Sequence, residues 1–241
     1  MKNALNNSVP ADLFTVYETV MDSIRNSDDS GKLALKIFSW ILYAKRPLQM
    51  LELREAIAIR EGDTGLNEDD LMSDDEIVEL CGSLVSFDAS GVVTFSHITV
   101  QEFLKLSHWS ELLDESVIAK ACLIYILFDV FEEGFGTDEA SFTQRLHQSP
   151  FAQYAARYWG AHVKEGKTEN DAEIEQLLIR LSESSKKIDS LSQLYHGNGD
   201  AAWELDDLFR HKTLLHLLAE NGLTILMQTA LSGKLGKVFF Q

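Results

Sequence analysis

The sequence contains few cysteines and no long apolar run, and each shortage narrows the class of protein. Only two of the 241 residues are cysteine, Cys81 and Cys122. Both fall within apolar helical patterns, where a free cysteine behaves as a small buried hydrophobe, so we expect a reducing intracellular setting. No stretch approaches the roughly 20 apolar residues of a bilayer span, and the N-terminal residues lack the apolar core of a signal peptide. The sequence therefore predicts a cytoplasmic protein without a membrane partner.

Basic residues are also scarce. The chain has 21 Lys and Arg against 38 Asp and Glu, a formal charge of −17. A surface this acidic repels phosphate backbones instead of releasing their counterions. The imbalance holds locally, because residues 31–109 carry seven basic and thirteen acidic side chains. We expect no nucleic-acid partner.

The motifs of common catalytic and cofactor sites are missing. The Gly-Lys pairs at residues 31–32 and 233–234 do not belong to the G-x-x-x-x-G-K-[ST] pattern that holds nucleotide phosphates. The acidic residues between 61 and 76 lack the spacing of a calcium loop, and the seven histidines form no H-E-x-x-H or Cys-His cluster. A G-x-S-x-G nucleophile motif is absent as well. We predict a chain that is not an enzyme and has no cofactor, no metal site and no small-molecule substrate.

Hydrophobic periodicity in the first part of the chain predicts helices. Apolar residues recur at helical spacing from Asp12 to Ile24, and the polar residues 26–31 that follow are interpreted as a loop. The next apolar stripe begins at Leu33 and must end before Pro47, since proline disfavours helical geometry in the residue before it. Another helix is predicted from about Met50 to Ile59.

A capped helix and a hairpin come next. Ser73 can cap a helix that runs to about Cys81, and Glu76 can return to the Ser73 amide in a capping box. Apolar and polar residues alternate at 85–87 and again at 93–95, on either side of turn-forming residues. Three helices followed by a hairpin is the order of a winged helix.

The second half of the chain is predicted to be helical. Helices are expected over 97–106, 114–128, 137–147, 150–163 and 174–181, with a polar break at 164–171. Thr137 is the expected cap of the third of these. The aromatic residues Tyr154, Tyr158 and Trp159 recur at helical spacing, which favours a place in the core over a recognition surface. Residues 212–233 predict two short helices around Asn221 and Gly222.

Several blocks, in their order and spacing, resemble the fungal NACHT-type signal-transduction NTPases that carry C-terminal ankyrin repeats. The likeness is to the part that follows the nucleotide-binding domain, and it covers roughly residues 9–233. The blocks are LALKIFSWILYAKRPLQMLELREAIAI, VELCGSLVSF with SHITVQEFL, ACLIYILFDVFEEG and PFAQYAARYWGAHV. The first two resemble the winged-helix module of these proteins, which is also described for GPI inositol-deacylase-like proteins and implies no lipase activity here.

The last helix pair resembles an ankyrin repeat. Five residues match the repeat's T-P-L-H-x-A-A-x-x-G pattern: Thr213, Leu215, His216, Ala219 and Gly222. Three leucines depart from it: Leu214, Leu218 and Leu223. Leucines at these positions suit a unit whose flank is covered by the preceding helices. We expect a degenerate first repeat, in which His216 forms the internal hydrogen bonds of the turn.

These observations together predict a mainly α fold that combines a winged-helix module with a short β-hairpin, a helical bundle and a degenerate ankyrin helix pair. The expected division is 1–30 for an opening helix and linker, 31–109 for the winged-helix module, 110–210 for the helical region, 211–234 for the ankyrin-like repeat and 235–241 for a tail.

The resemblance implies the regulatory and connecting region of a NACHT-ankyrin protein, without catalytic activity of its own. Its expected partners are proteins, namely an upstream NACHT domain and further ankyrin repeats. A freestanding intracellular scaffold for protein interaction is the alternative. A DNA-binding winged-helix regulator comes third, because the acidic charge disfavours it.

Overall fold

A computed structural model of the protein describes residues 10–106, 112–136, 138–197 and 212–232. Twelve α-helices lie within these described residues, together with one two-stranded antiparallel sheet. Helices α1 to α12 are, in order, Ala11–Arg25, Asp28–Tyr43, Met50–Ala58, Asp74–Leu80, Ile98–Leu106, Glu115–Ile126, Glu139–Gln148, Ala152–Glu165, Ala172–Ser182, Ser185–His196, Leu214–Glu220 and Thr224–Leu231. Strands β1 and β2 are Val85–Phe87 and Val93–Phe95, and 3₁₀ turns lie at Glu68–Asp70 and Asp129–Glu133. The predicted mainly α fold with a short hairpin is confirmed.

The described residues divide into two compact units. The first lies within Met1–Ile57 and Asp69–Asp114, and the second within Ala58–Glu68 and Glu115–Gln241. The first unit therefore holds α1, α2, nearly all of α3, α4, the hairpin and α5. The second unit holds α6 to α12, so the ankyrin-like helix pair belongs to the same unit as the helical region before it.

The first unit has the order of a winged helix. Helices α2, α3 and α4 precede the hairpin, in which Val85 pairs with Phe95 and Phe87 with Val93. Helix α4 begins with the predicted capping box, because the Ser73 hydroxyl accepts from the Glu76 amide at 3.3 Å while the Glu76 carboxylate accepts from the Ser73 amide at 2.7 Å. Local sequence signals thus fix both the start of α4 and the wing.

The predicted loop over residues 26–31 is wrong. Helix α2 begins at Asp28, so Gly31 lies in its first turn and donates its amide to the Ser27 carbonyl at 2.9 Å. Two aspartates open this helix, and acidic side chains near a helix N-terminus are stabilised by the helix dipole. The polar run that resembles a loop is therefore the start of a helix.

The second unit has an aromatic core between α6 and α8. The ring of Tyr125 lies 5.2 Å from that of Phe151, which stacks on Tyr154 at 5.3 Å. Trp159 and Tyr154 are fully buried, while Tyr158 is only half-buried. The predicted core placement is confirmed for Trp159 and Tyr154.

Helix α10 is an element that the sequence analysis does not assign. Its buried side includes Ser190 and Gln193, which bind the backbone that follows the second 3₁₀ turn. The Ser190 hydroxyl lies 2.8 Å from the Gly134 carbonyl, and the Gln193 side-chain amide both donates to and accepts from the Gly136 backbone at 2.9 and 2.8 Å. Helix α10 thus holds a loop by polar contacts and not only by an apolar stripe.

The expected cap of helix α7 cannot be compared, since Thr137 lies outside the described residues. Asp138 is the N-cap, and its side-chain oxygen accepts from the Ser141 amide at 2.8 Å. Helix α8 begins at Ala152, two residues after Pro150.

Candidate interaction surfaces

A groove of about 500 Å³ opens in the first unit between the end of α2, strand β2 and the start of α5. We call it the wing groove. Most of its lining is apolar, from Ile41, Leu42, Pro47, Val93, Phe95 and Ile98. The side chain of Ile98 is 59% exposed. Exposed apolar surface next to a concave site is typical of a surface that contacts another molecule.

Two cationic residues, Lys45 and Arg46, also line the wing groove, and no acidic residue is among the described residues that line it. Arg46 is held by Glu52, whose carboxylate oxygens lie 2.6 and 2.7 Å from the two guanidinium nitrogens. The Glu52 carboxylate also accepts from the Gln49 amide at 2.8 Å. Arg46 is thus fixed and neutralised, and Lys45 contributes the excess positive charge.

Helix α4 is the third helix of the winged-helix order, the position that enters the major groove in DNA-binding proteins with related helical motifs. Its residues include Asp74, Asp75, Glu76 and Glu79, of which three are exposed. This helix offers carboxylates where a DNA-binding protein presents cationic and amide side chains.

The ankyrin-like turn brings together two of the predicted site residues. Nδ1 of His216 accepts from the Thr213 amide at 3.0 Å and lies 2.9 Å from the Thr213 hydroxyl. An acceptor role for Nδ1 places the proton of the neutral ring on Nε2. The internal hydrogen bonds expected of His216 are therefore present.

The other matched residues lie on the same helix or just after it. Leu215 is half-buried and Ala219 is exposed on α11. The Ala219 carbonyl accepts from the Gly222 amide at 3.0 Å, and Gly222 has a φ of +66°. Glycine adopts this left-handed conformation without steric cost, which explains its place after the helix.

The three leucines that depart from the repeat pattern are buried. Leu214 is 1% exposed, and Leu218 and Leu223 are fully buried. Two contacts fix the helix pair inside the second unit: the Asn221 side chain lies against Gly160 of α8, and the Glu169 carboxylate accepts from the Ile225 amide at 2.8 Å. The expectation that these leucines face covering helices is consistent with this packing.

A buried polar chain in the second unit joins Glu115, His162 and Tyr154. Nδ1 of His162 contacts the Glu115 carboxylate, and Nε2 lies 2.9 Å from the Tyr154 hydroxyl. The histidine is fully buried and both ring nitrogens are occupied. The ring therefore has no nitrogen left for a substrate or a metal, and the arrangement ties the start of α6 to α8. The sequence analysis places His162 and Tyr154 on one face but does not predict the pairing with Glu115.

The cysteines have the character of core residues, as predicted. Both are buried, and burial raises the pKa of the Cys81 thiol to about 12. A thiol with such a pKa is protonated at neutral pH and is a poor nucleophile. Within the described ranges, no group of three or more His, Cys, Asp or Glu side chains has the geometry of a metal site. Likewise, none of the helices that the structure describes has the length and apolar character to cross a bilayer.

Comparison with known proteins identifies part of the chain. Residues 20–125, under half of the sequence, match the family described as the winged helix domain of GPI inositol-deacylase. No curated protein matches the chain, and no solved structure does. The matched residues include α2, α3, α4 and the hairpin, which have the winged-helix order independently of the match. The chain therefore contains a winged-helix domain.

Proposed function

We propose that the chain is the regulatory and connecting region of a NACHT-type protein with ankyrin repeats, and that it acts through protein contacts without catalysis of its own. The observation that carries this proposal is the order of its parts. A winged-helix domain is followed by a helical unit, and that unit ends in a helix pair with the Thr213 and His216 hydrogen bonds of an ankyrin-like turn. The resemblance implies the same order after a nucleotide-binding domain.

Chemistry of the described residues supports a role without catalysis. The most unusual histidine, His162, is buried with both nitrogens occupied, and the thiol of Cys81 is buried and protonated. Neither group is able to reach a substrate in this arrangement. The carboxylates of α4 support partners other than nucleic acid, because they repel phosphates.

The ankyrin-like helix pair supports a role in stacking. Ankyrin units bury their faces against neighbours, and about three or more units are normally needed for stability. One flank of this pair is covered by the helices before it, whereas Ile225 and Leu231 of α12 are 41% and 58% exposed. We propose that further repeats cover these two side chains.

The proposal is tested by the mass of the endogenous polypeptide, measured on a denaturing immunoblot with an antibody raised against this chain. We expect a band far above 27.1 kDa, the mass of this sequence. A band at 27.1 kDa would favour the alternative function, a freestanding scaffold for protein interaction.

A further inference from the structure

One edge of strand β2 faces the wing groove and has little backbone pairing. The Val93 amide points to this edge, where it donates to the Leu48 carbonyl at 2.8 Å. Residues two apart in a strand direct their peptide groups to the same side, so the N–H and C=O of Phe95 point to this edge as well. The opposite edge pairs with β1, as the 2.9 Å bond from the Ser96 amide to the Leu84 carbonyl shows.

The chain segment before α3 covers only the first part of this edge. Gln49 forms a single antiparallel bridge with Val92. The segment reaches Pro47 two residues earlier, and proline has no amide to continue the ladder. Among the described residues, none is recorded as a backbone partner of Phe95 on this side. The wing groove opens where this pairing stops.

We propose that the wing groove is a docking site for an extended, acidic segment of a partner protein, which adds to the open edge of β2 beside Phe95. This inference rests on the proposed function and names the surface and the partner chemistry. Main-chain hydrogen bonds to an exposed strand edge give affinity for an extended peptide, and pockets for its alternate side chains give specificity.

The lining of the groove selects the side chains of this segment. Ile98 and Phe95 offer apolar contact to one face of an added strand, since alternate residues of a strand point to the same side. Lys45 offers a positive charge in a groove without acidic lining, and this is unusual for a chain of formal charge −17. The charge complementarity favours a carboxylate on the bound segment, whereas a second copy of this acidic chain is repelled.

The first test selects peptides from a phage-displayed library of random dodecapeptides on the full chain. We expect enriched sequences with Asp or Glu, apolar residues at alternate positions and no proline between them. Absence of enrichment, or a basic or proline-rich consensus, would overturn the proposal.

The second test measures the affinity of the most enriched peptide by fluorescence anisotropy. We expect Ile98→Glu to weaken binding at least about tenfold and Lys45→Glu about fivefold, because each removes one element of complementarity. The matched controls are Leu51→Glu, which is 54% exposed on α3 outside the groove, and Lys32→Glu on α2. Equal losses in the controls would overturn the proposed site.

The third test follows amide hydrogen exchange in the full chain with and without the peptide. Addition to the edge of β2 is expected to slow exchange of the Phe95 amide, while the Thr94 amide, which points to β1, changes less. Unchanged exchange at Phe95 would overturn the edge-pairing geometry. Self-association of the wild-type chain that Ile98→Glu abolishes would overturn the choice of occupant in favour of a second copy.

The outcome is separable from that of the proposed function. An endogenous band far above 27.1 kDa with no peptide selected would leave the regulatory and connecting role in place and remove this docking site. A band at 27.1 kDa with acidic peptides bound in the wing groove would retain the site on a freestanding scaffold.

Discussion

Replacement of Gly31 by alanine tests how closely α2 approaches the end of α1. A Cβ at residue 31 would lie 2.0 Å from the carbonyl oxygen of Ile24, which is a backbone atom. Alanine is favoured over glycine in a helix by about 1 kcal/mol, whereas overpacking costs roughly 1–3 kcal/mol and occasionally more. Because a backbone carbonyl cannot rotate away as a side chain can, we expect the clash to exceed the propensity gain. The free energy of unfolding should fall by about 1–2 kcal/mol.

Urea unfolding of the full chain, followed by far-UV circular dichroism, measures this loss. With a slope of about 2 kcal/mol per M, the midpoint should fall by about 0.5–1 M. Gly65→Ala is the matched control, because no atom lies within 4 Å of its added Cβ and its φ lies outside the left-handed region. Its midpoint should stay unchanged or rise slightly. A Gly31→Ala midpoint at or above that of the wild type would refute the close approach.

Three further substitutions test other parts of the fold. Trp159→Ala should lower the free energy of unfolding by roughly 3–5 kcal/mol because the ring is fully buried, and equal urea midpoints for variant and wild type would contradict the core placement. Ser73→Ala removes the hydroxyl that caps α4 and should cost about 1 kcal/mol, so an unchanged Tm would count against the cap. Burial, and then the charge of Lys212, lower the pKa of His196 from its ordinary 6.5. The unfolded chain therefore binds this proton more readily, and stability should fall as the pH drops below 6.5, until the folded-state pKa is passed. His196→Gln should flatten that part of the stability profile, and an identical pH dependence in variant and wild type would contradict the assignment.

The elements predicted correctly are those whose signals are local. The capping box at Ser73 and Glu76 spans four residues, and the alternation at 85–87 and 93–95 fixes the hairpin on its own. Such patterns carry the structural information within a few residues of the chain. The helical spacing of Tyr154 and Trp159 indicates their burial for the same reason.

The loop predicted at 26–31 and the missed helix α10 fail for opposite reasons. Gly31 disfavours helix by intrinsic propensity, but it is required where the Ile24 carbonyl comes close, and only the tertiary structure shows this contact. In α10, the apolar residues Ile188, Leu191 and Leu194 recur at a spacing of three, which together with Ser184 as a cap is a usable helix signal. The polar residues between them, some of which bind backbone, conceal it.

The candidate surfaces are the part least visible in sequence. The wing groove is formed by residues from three separate segments around 41–47, 93–95 and 98–101, and nothing in their spacing places them together. The pairing of Glu115 with His162 spans 47 residues along the chain and follows from the packing of α6 on α8. Such long-range contacts depend on the relative placement of helices, which periodicity does not define.

The most direct test of the central claim is peptide mass spectrometry of the endogenous protein, purified under native conditions with an antibody raised against this chain. The account predicts peptides from a NACHT nucleotide-binding domain, either in the same polypeptide or in a stoichiometric complex with it. Recovery of the chain with no nucleotide-binding domain in either form would contradict its role as a regulatory and connecting region.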